Sequence, residues 1–437
     1  MKRWGVLLLA GLGLALIQQQ LLQRRPPRLQ RLEPAAPGSA LAALGLRFSR
    51  PMDGTSLRQQ LKLVPDLPHE LLGEGTRWRL QLTGNQAIEG PVELRLGGRD
   101  QRGQELAPTR WRWEPRPALV ASRPQGDDEQ LLSWQEGRGW RVLSRFPGEV
   151  HDLLPLGDGS GVALVSARDP LEKRVWRLPL SAQLQAGKPE ELEREPVVFA
   201  SLSTNNPGDL LVQRSTLEQR QASVQLWSAS GQRRELAIRA GGPIRLVPQG
   251  GLAVVPERDG LVLQSLPPLP PRRDVLPGLR DLSSFCPQAG RALLVRHWPD
   301  YRRSLELLEP GKPPQQLWIG NEALVASACA GAADRIWILL LSGIRTPLLE
   351  LVELNRQGQI LLRQALTGYE LDPGSPMHYD PSRRALLLLL RPLRLELEPL
   401  PLPQAYLLTV DDLQLNPIPG AVGHAGWLPS RQLERLR

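Results

Sequence analysis

The chain has 437 residues, the length of about three domains at roughly 150 residues each, although a single β-barrel or propeller can be much longer. Its 40 Gly and 43 Pro exclude a helical bundle, and its 41% apolar residues exclude a disordered chain. The formal charge is +9, and the composition favours an all-β protein with many turns.

The excess positive charge is confined to the N-terminal part of the chain. Residues 1–43 carry six basic and one acidic side chain, and residues 44–117 carry twelve and nine. The remaining 36 basic and 35 acidic side chains balance one another over residues 118–437. A nucleic-acid-binding domain concentrates basic residues on itself, so nucleic acid is excluded as a partner. The basic N-terminal part instead suits anionic lipid head groups.

The N-terminus has the order of an export signal. Met1, Lys2 and Arg3 precede an uncharged apolar run over residues 4–17. No small-residue cleavage site follows, and the run extends to about 19 residues, close to the ~20 that span a bilayer. We therefore predict an uncleaved signal anchor, a transmembrane helix over residues 1–23. A cleaved signal peptide is the alternative.

A spacer and a small β domain are predicted next. Residues 24–43 contain four Arg and four Pro with little apolar periodicity, which is typical of a semi-extended spacer. Beyond it, apolar residues alternate along short segments separated by Gly-Gly and Gly-Asn turns. This period of two predicts the half-buried antiparallel strands of a sandwich. The alternating residues are Leu44, Leu46 and Phe48, then Trp78, Leu80 and Leu82, then Val92, Leu94 and Leu96.

Residues 44–115 also contain a recognisable set of motifs. These are Phe-Ser-Arg-Pro-Met-Asp at residues 48–53, Asp-Gln-Arg-Gly at residues 100–103 and Trp-Arg-Trp at residues 111–113. The segment resembles the bacterial Ig-like domain of S-layer type (SbsA-like), although residues 61–74 lack its second alternating strand. The resemblance implies an Ig-like β-sandwich that acts as a spacer or adhesive module. Gly103 is expected at a turn position with positive φ.

A weak repeat follows the Pro-Arg-Pro hinge predicted at residues 115–117. Compact apolar strands recur at steps of 47, 43, 40, 44 and 50 residues, which is typical of propeller blades. The turns before them resemble the Ser-Pro-Asp-Gly turns of TolB-like, WD-repeat-like β-propellers, so residues 118–430 are predicted to form six or seven blades. The compact strands are Val162–Val165, Leu210–Val212, Leu252–Val255, Leu293–Val295, Trp337–Leu339 and Leu387–Leu389.

No motif predicts a catalytic, metal or cofactor site. The five His and two Cys show no metal-ligand spacing, and the Gly-x-Ser-x-Gly and Ser-x-x-Lys motifs are absent. Distant blades can bring His151, His297 and His378 together, but isolated histidines are the preferred interpretation. The acidic runs at residues 127–129 and 411–412 are interpreted as solvated turns. The Pro-rich run at residues 267–273 is interpreted as an inter-strand loop.

The two cysteines are 43 residues apart, and each lies seven residues before a compact strand. We therefore expect Cys286 and Cys329 at equivalent places in neighbouring blades. An oxidising envelope permits a disulfide. Blade spacing often exceeds the Cα separation of about 7 Å that a disulfide tolerates, so two small buried thiols are the preferred expectation.

Two functions from different classes follow. The first is a membrane-anchored, periplasmic cell-envelope binding protein without catalysis, whose Ig-like spacer presents the propeller to a protein or polymer partner. The second is a propeller hydrolase that acts on an envelope glycan or peptide. Convergent carboxylates, or a Ser and a His within hydrogen-bond reach, would favour the enzyme. The basic residues on the two sides of the apolar run nearly balance, so the extracytoplasmic orientation rests partly on the envelope-type domains.

Overall fold

A computed structural model describes residues 25–193, 195–218, 222–343, 347–393 and 401–436. The signal anchor predicted at residues 1–23 lies outside this part of the chain. Within it, no helix is both long and apolar enough to cross a bilayer. Nearly all of the regular secondary structure in the described residues is β-strand, as the composition predicts.

Two four-stranded antiparallel sheets form a sandwich around one apolar core. Alternation places Leu44, Leu46 and Phe48 in this core, where each is at most 3% exposed. The strand orders are β1-β2-β5-β4 and β3-β6-β7-β37. The strands are β1 (Leu29–Ala35), β2 (Ala42–Phe48), β3 (Lys62–Val64), β4 (His69–Glu74), β5 (Arg77–Leu82), β6 (Val92–Leu96), β7 (Thr109–Trp113) and β37 (Leu433–Leu436).

The sandwich extends beyond residues 44–115 in both directions, which corrects the predicted boundaries. Strand β1 lies inside the predicted spacer over residues 24–43, where Leu29 and Leu32 pack against the core while Arg and Pro hide the alternation. Strands β3 and β4 occupy the stretch without a clear pattern, because only Leu63 and Leu71 of these strands are buried. Both strands lie at sheet edges.

A single short helix, α1 (Gly54–Gln60), follows β2 in the sandwich. Asp53 caps it, because its carboxylate Oδ1 accepts a hydrogen bond from the backbone N–H of Thr55 at 3.0 Å. Leu57 is the buried residue of the helix and packs into the sandwich core. Gly103 adopts φ +78° at its turn, as predicted.

Seven sheets of four or five strands make up the rest of the described chain, so the predicted propeller has seven blades. The strands are β8 (Ala118–Gln125), β9 (Asp128–Gln135) and β10 (Gly139–Pro147) in blade 1; β11 (Glu149–Pro155), β12 (Gly161–Ala167), β13 (Arg174–Pro179) and β14 (Glu190–Glu191) in blade 2; β15 (Phe199–Thr204), β16 (Leu210–Ser215), β17 (Ser223–Trp227) and β18 (Arg233–Leu236) in blade 3; and β19 (Arg245–Leu246), β20 (Leu252–Glu257), β21 (Gly260–Ser265) and β22 (Arg273–Pro277) in blade 4.

The last three blades continue this arrangement. Their strands are β23 (Arg280–Phe285), β24 (Ala292–His297), β25 (Arg303–Leu308) and β26 (Gln315–Gly320) in blade 5; β27 (Ala323–Cys329), β28 (Arg335–Ser342), β29 (Leu348–Asn355) and β30 (Ile360–Ala365) in blade 6; and β31 (Tyr369–Leu371), β32 (His378–Asp380), β33 (Ala385–Pro392), β34 (Gln404–Thr409) and β35 (Leu415–Ala421) in blade 7.

The C-terminal strand of the propeller closes the ring. Strand β36 (Ala425–Leu428) pairs with β8, where Trp427 lies opposite Leu119. Blade 1 therefore combines one strand from the end of the propeller with three from its beginning. The innermost strands of most neighbouring blades contact one another around the centre of the ring.

The propeller has two unlike faces. The innermost strand of each blade, which is β36 in blade 1, begins at one face, here named the open face, and ends at the other, here named the docked face. The sandwich lies against the docked face, where the backbone N–H of Ile88 donates to the carbonyl of Ser382 at 2.8 Å. The residues predicted as a hinge are held there, because Arg116 donates to the carbonyl of Glu89 at 2.6 Å and pairs with Glu136 at 3.1 Å.

Cys286 and Cys329 form a disulfide, which corrects the expectation of two free thiols. They occupy the predicted equivalent places, at the docked-face ends of the first strands of blades 5 and 6. First strands converge toward the centre of the ring, so the two Cα atoms lie 5.5 Å apart rather than at the wider spacing of the outer strands.

Candidate functional site

An acidic depression of about 470 Å³ opens on the open face where blades 7, 1 and 2 meet. A second depression of about 470 Å³ adjoins it and shares Asp127 and Glu149. Five carboxylates from three blades line the first depression, namely Asp127, Asp128, Glu129, Glu149 and Asp372. Sequence patterns did not predict this convergence.

The strand geometry of blade 1 explains why three consecutive acidic residues behave differently. Asp127 lies in the turn between β8 and β9 and is exposed. Asp128 and Glu129 begin β9, where successive side chains point to opposite faces of the sheet. Glu129 therefore shares the inward face with Leu131 and is only 4% exposed. The interpretation of this acidic run as a solvated turn is therefore wrong for Glu129, which is buried.

The carboxyl group of Glu129 is incompletely hydrogen-bonded. The Ser122 hydroxyl and the backbone N–H of Val150 bond to it, but burial outweighs both and raises its pKa. Its Oε2 atom has no hydrogen-bond partner. A buried carboxyl oxygen without a donor is unfavourable in the unliganded protein, and it is available to a donor supplied by a ligand.

Two other carboxylates of the depression are neutralised by arginine. Arg168 lies 3.0 Å from Asp128 and lowers the pKa of that carboxyl, and Arg391 pairs with Asp372. Within the described residues, no ion pair reaches Asp127, Glu129 or Glu149. The depression therefore has an excess of negative charge.

His424 lies in the same depression but does not form a catalytic pair with Ser122. Its ring Nε2 lies 2.8 Å from the carbonyl oxygen of Val150, which makes Nε2 the protonated nitrogen. The Ser122 hydroxyl accepts instead from the backbone N–H of His424, at 3.1 Å. Ser122 is also fully buried. This arrangement lacks the hydroxyl-to-imidazole hydrogen bond that nucleophilic catalysis requires.

The three histidines considered for a shared site do not converge. His151 lines the second depression, where burial lowers its pKa. His297 lies in blade 5 with its Nε2 2.7 Å from Asp281. His378 lies in blade 7. Desolvation by neighbouring atoms lowers its pKa to about 4, and solvent moderates this shift because the residue is exposed. The described residues contain no cluster of three or more possible metal ligands.

The other segments considered lie elsewhere. Asp411 pairs with Arg384 at the docked-face turn of blade 7 and is not part of the depression. The Pro-rich run at residues 267–273 connects β21 to β22 in blade 4, as predicted. The acidic depression is therefore the site best supported by geometry.

No protein-family model matches the sequence, and no curated protein matches it. Several solved structures are similar to the chain. TolB from Acinetobacter baumannii is 12% identical and covers 64% of this chain and 77% of its own, with a TM-score of 0.40. AztD from Citrobacter koseri is 10% identical and covers 74% of this chain and 99% of its own, with a TM-score of 0.46. A prolyl endopeptidase is 9% identical and covers 74% of this chain and 50% of its own, with a TM-score of 0.49.

These likenesses are distant, and the seven-bladed architecture rests on the strand pairing itself. TolB proteins are among the similar structures. None of the similar structures named here is an S-layer Ig-like domain, so that resemblance of the sandwich stays a prediction.

Proposed function

We propose that the protein is a membrane-anchored cell-envelope binding protein without catalysis. Its sandwich, of the S-layer Ig-like type, holds the propeller so that the open face is presented to a protein or polymer partner. The observation that carries this proposal is the division of the propeller faces. The sandwich occupies the docked face, and the acidic depression lies on the opposite face, away from the described residues of the sandwich.

The proposed anchor determines which face of the propeller points away from the membrane. The sandwich begins at Leu29, a few residues after the predicted anchor over residues 1–23. A short connection keeps the sandwich near the bilayer, and the open face then points away from it. A partner in the envelope can reach the depression without competing with the membrane.

The proposal is tested by affinity capture with the detergent-solubilised full-length chain. The double variant Asp127→Lys and Glu149→Lys reverses charge at the open face, and Glu190→Lys with Asp274→Lys reverses two exposed charges on outer strands. We expect the open-face variant to lose partners that the wild type and the outer-strand variant both retain. Equal capture by all three proteins would contradict the proposal.

The location is tested separately, by adding protease to intact spheroplasts. The proposed orientation predicts that the propeller is cleaved before the spheroplasts are lysed. A protected propeller would mean that the orientation is wrong. An N-terminus that begins after residue 17 would mean that the segment is cleaved.

One observation favours the alternative, a hydrolase for an envelope glycan or peptide. Glu129 is a buried carboxyl with a raised pKa in a depression that four other carboxylates line, and a general acid needs such a raised pKa. The enzyme hypothesis predicts hydrolysis of envelope glycan or peptide fragments that Glu129→Gln abolishes. Unchanged fragments after prolonged incubation with the wild type would favour the binding protein.

A further inference from the structure

Exposed apolar side chains concentrate on the open face of the propeller. Among the described residues, six large apolar side chains that are more than a third exposed lie on open-face loops or strand ends, whereas two, Leu269 and Ile360, lie on docked-face loops or strand ends. The six are Leu171 (57% exposed), Phe199 (39%), Leu217 (76%), Leu279 (64%), Tyr301 (93%) and Leu402 (47%). Single exposed leucines need no explanation, but their accumulation on one face is typical of an interaction surface.

Leu402 is the one of these six residues that also lines the acidic depression. The depression is also lined by the apolar residues Pro124, Val150 and Pro403. The unpaired carboxylates Asp127 and Glu149 line it as well. A Lys or Arg side chain is complementary to this lining, because its aliphatic part packs on apolar surface and its charged end binds carboxylates.

Glu129 supplies the observation that points to a ligand independently of the exposed acidic residues. It is 4% exposed and lines the depression, and its Oε2 has no donor within the chain. A bound ammonium or guanidinium group provides that donor and compensates the buried charge. A volume of about 470 Å³ has room for such a side chain together with part of the backbone that carries it.

We propose that the partner is a polypeptide that inserts a Lys or Arg side chain into the depression. The charged end of this side chain bonds to Glu129, between Asp127 and Glu149. Apolar residues of the partner on either side of the Lys or Arg pack on the exposed apolar residues of the open face. This inference rests on the proposed function and names its partner class. A neutral glycan neither neutralises the unpaired carboxylates nor buries the exposed leucines. A nucleic acid is repelled by the carboxylates.

The probe is a library of displayed linear peptides of about twelve residues, selected on the full-length chain in detergent. We expect the selected peptides to carry Lys or Arg between apolar residues. Glu129→Gln should weaken a selected peptide by about tenfold, and Glu190→Gln, the same change at an exposed residue of β14, should leave its affinity unchanged. Replacing the basic residue of the peptide by norleucine should produce the same loss, and the two losses should not add.

Three results would overturn the inference: selection of no peptide, selection of peptides without a basic residue, or equal binding by wild type and Glu129→Gln. If Glu129→Gln does not fold, the exposed double variant Asp127→Asn and Glu149→Gln replaces it, with about tenfold weaker binding expected. Soluble envelope glycan fragments serve as the second probe. If they bind at the open face and no peptide does, the inference fails while the proposed function stands. If open-face charge reversal leaves partner capture intact, the proposed function itself fails.

Discussion

Glu129 makes the folded protein less stable at neutral pH than it would be without this carboxyl. Its pKa is raised above the ordinary 4.5 because burial opposes ionisation more than its two hydrogen bonds favour it. Below pH 4.5 the group is protonated in both the folded and the unfolded chain and has no net effect. As the pH rises, the unfolded chain loses its proton first, so stability falls until the raised pKa of the folded state is passed. Binding sites often retain such unfavourable groups.

Replacing Glu129 by Gln should therefore stabilise the free protein in a pH-dependent way. The increase in melting temperature over wild type should grow as the pH rises above about 4.5 and level off once the raised pKa of the folded-state carboxyl is passed. Thermal unfolding followed by circular dichroism across this range measures it, with Glu190→Gln as the control that changes nothing. An increase independent of pH would mean that Glu129 does not titrate as described.

The pair formed by Arg280 and Glu306 should matter for stability far more than the ion pairs at the surface. Their side chains are 8% and 5% exposed, and the Nε atom of Arg280 lies 2.7 Å from Oε2 of Glu306. Glu306→Ala leaves a buried guanidinium without this carboxylate and should lower the free energy of unfolding by about 3 kcal/mol. The control is Asp274→Ala, which removes the exposed partner of Arg272 and should change it by less than about 0.5 kcal/mol. Denaturant titration measures the free energy of unfolding of both variants. An equally small decrease in the two variants would contradict the prediction.

Residue patterns did not predict the candidate site, although they contained one signal for it. The period of two along β9, with Glu129 on the same side as Leu131, contained the signal that Glu129 is buried. That signal was masked because the acidic run also has the composition of a turn. Glu149 joins Glu129 because blades 1 and 2 pack together, and Asp372 joins it only through ring closure. Neither form of packing is visible in the local sequence around these residues.

At the level of strands, the disulfide connects the first strands of blades 5 and 6 and closes a loop of 43 residues. Its main effect is to restrict the unfolded chain, and the chain-entropy model gives about 4 kcal/mol for a loop of this length. Replacing both Cys286 and Cys329 by Ala should therefore lower the free energy of unfolding by up to this amount without changing the fold.

Thiol alkylation checks the bridge directly. The unreduced, denatured protein should show no labelled cysteine, and the reduced protein should show two. Two labelled cysteines before reduction would mean that the bridge is not formed. A double variant as stable as the wild type would mean that the bridge adds no stability.

The compact apolar strands of six blades were predictable because they are buried on both sides in continuous runs such as Gly161–Ala167. The first strands of the blades were not, since several contain a β-bulge that interrupts alternation, as between Val150 and Asp152 and between Leu282 and Ser284. Strand β1 was missed for a different reason, because its Arg and Pro residues resemble those of a linker.

For the whole molecule, residues 118–430 should fold without the sandwich, because both ends of the ring closure, β8 and β36, lie inside this fragment. We expect a soluble fragment that melts cooperatively, at a lower temperature than the full-length chain because the docked face becomes exposed. Calorimetry of both proteins measures the difference. A fragment that aggregates while the full-length chain does not would mean that the sandwich is needed for ring closure.

Strands β7 and β37 are hydrogen-bonded neighbours in one sheet of the sandwich, with Trp113 opposite Leu433. Everything from residue 114 to residue 432 is therefore an insertion between two adjacent strands of a smaller domain. The chain enters and leaves the propeller side by side, so a bound partner that pulls on the propeller distributes the force over two parallel connections. With the proposed N-terminal anchor, this force would pass through the sandwich before it reaches the membrane.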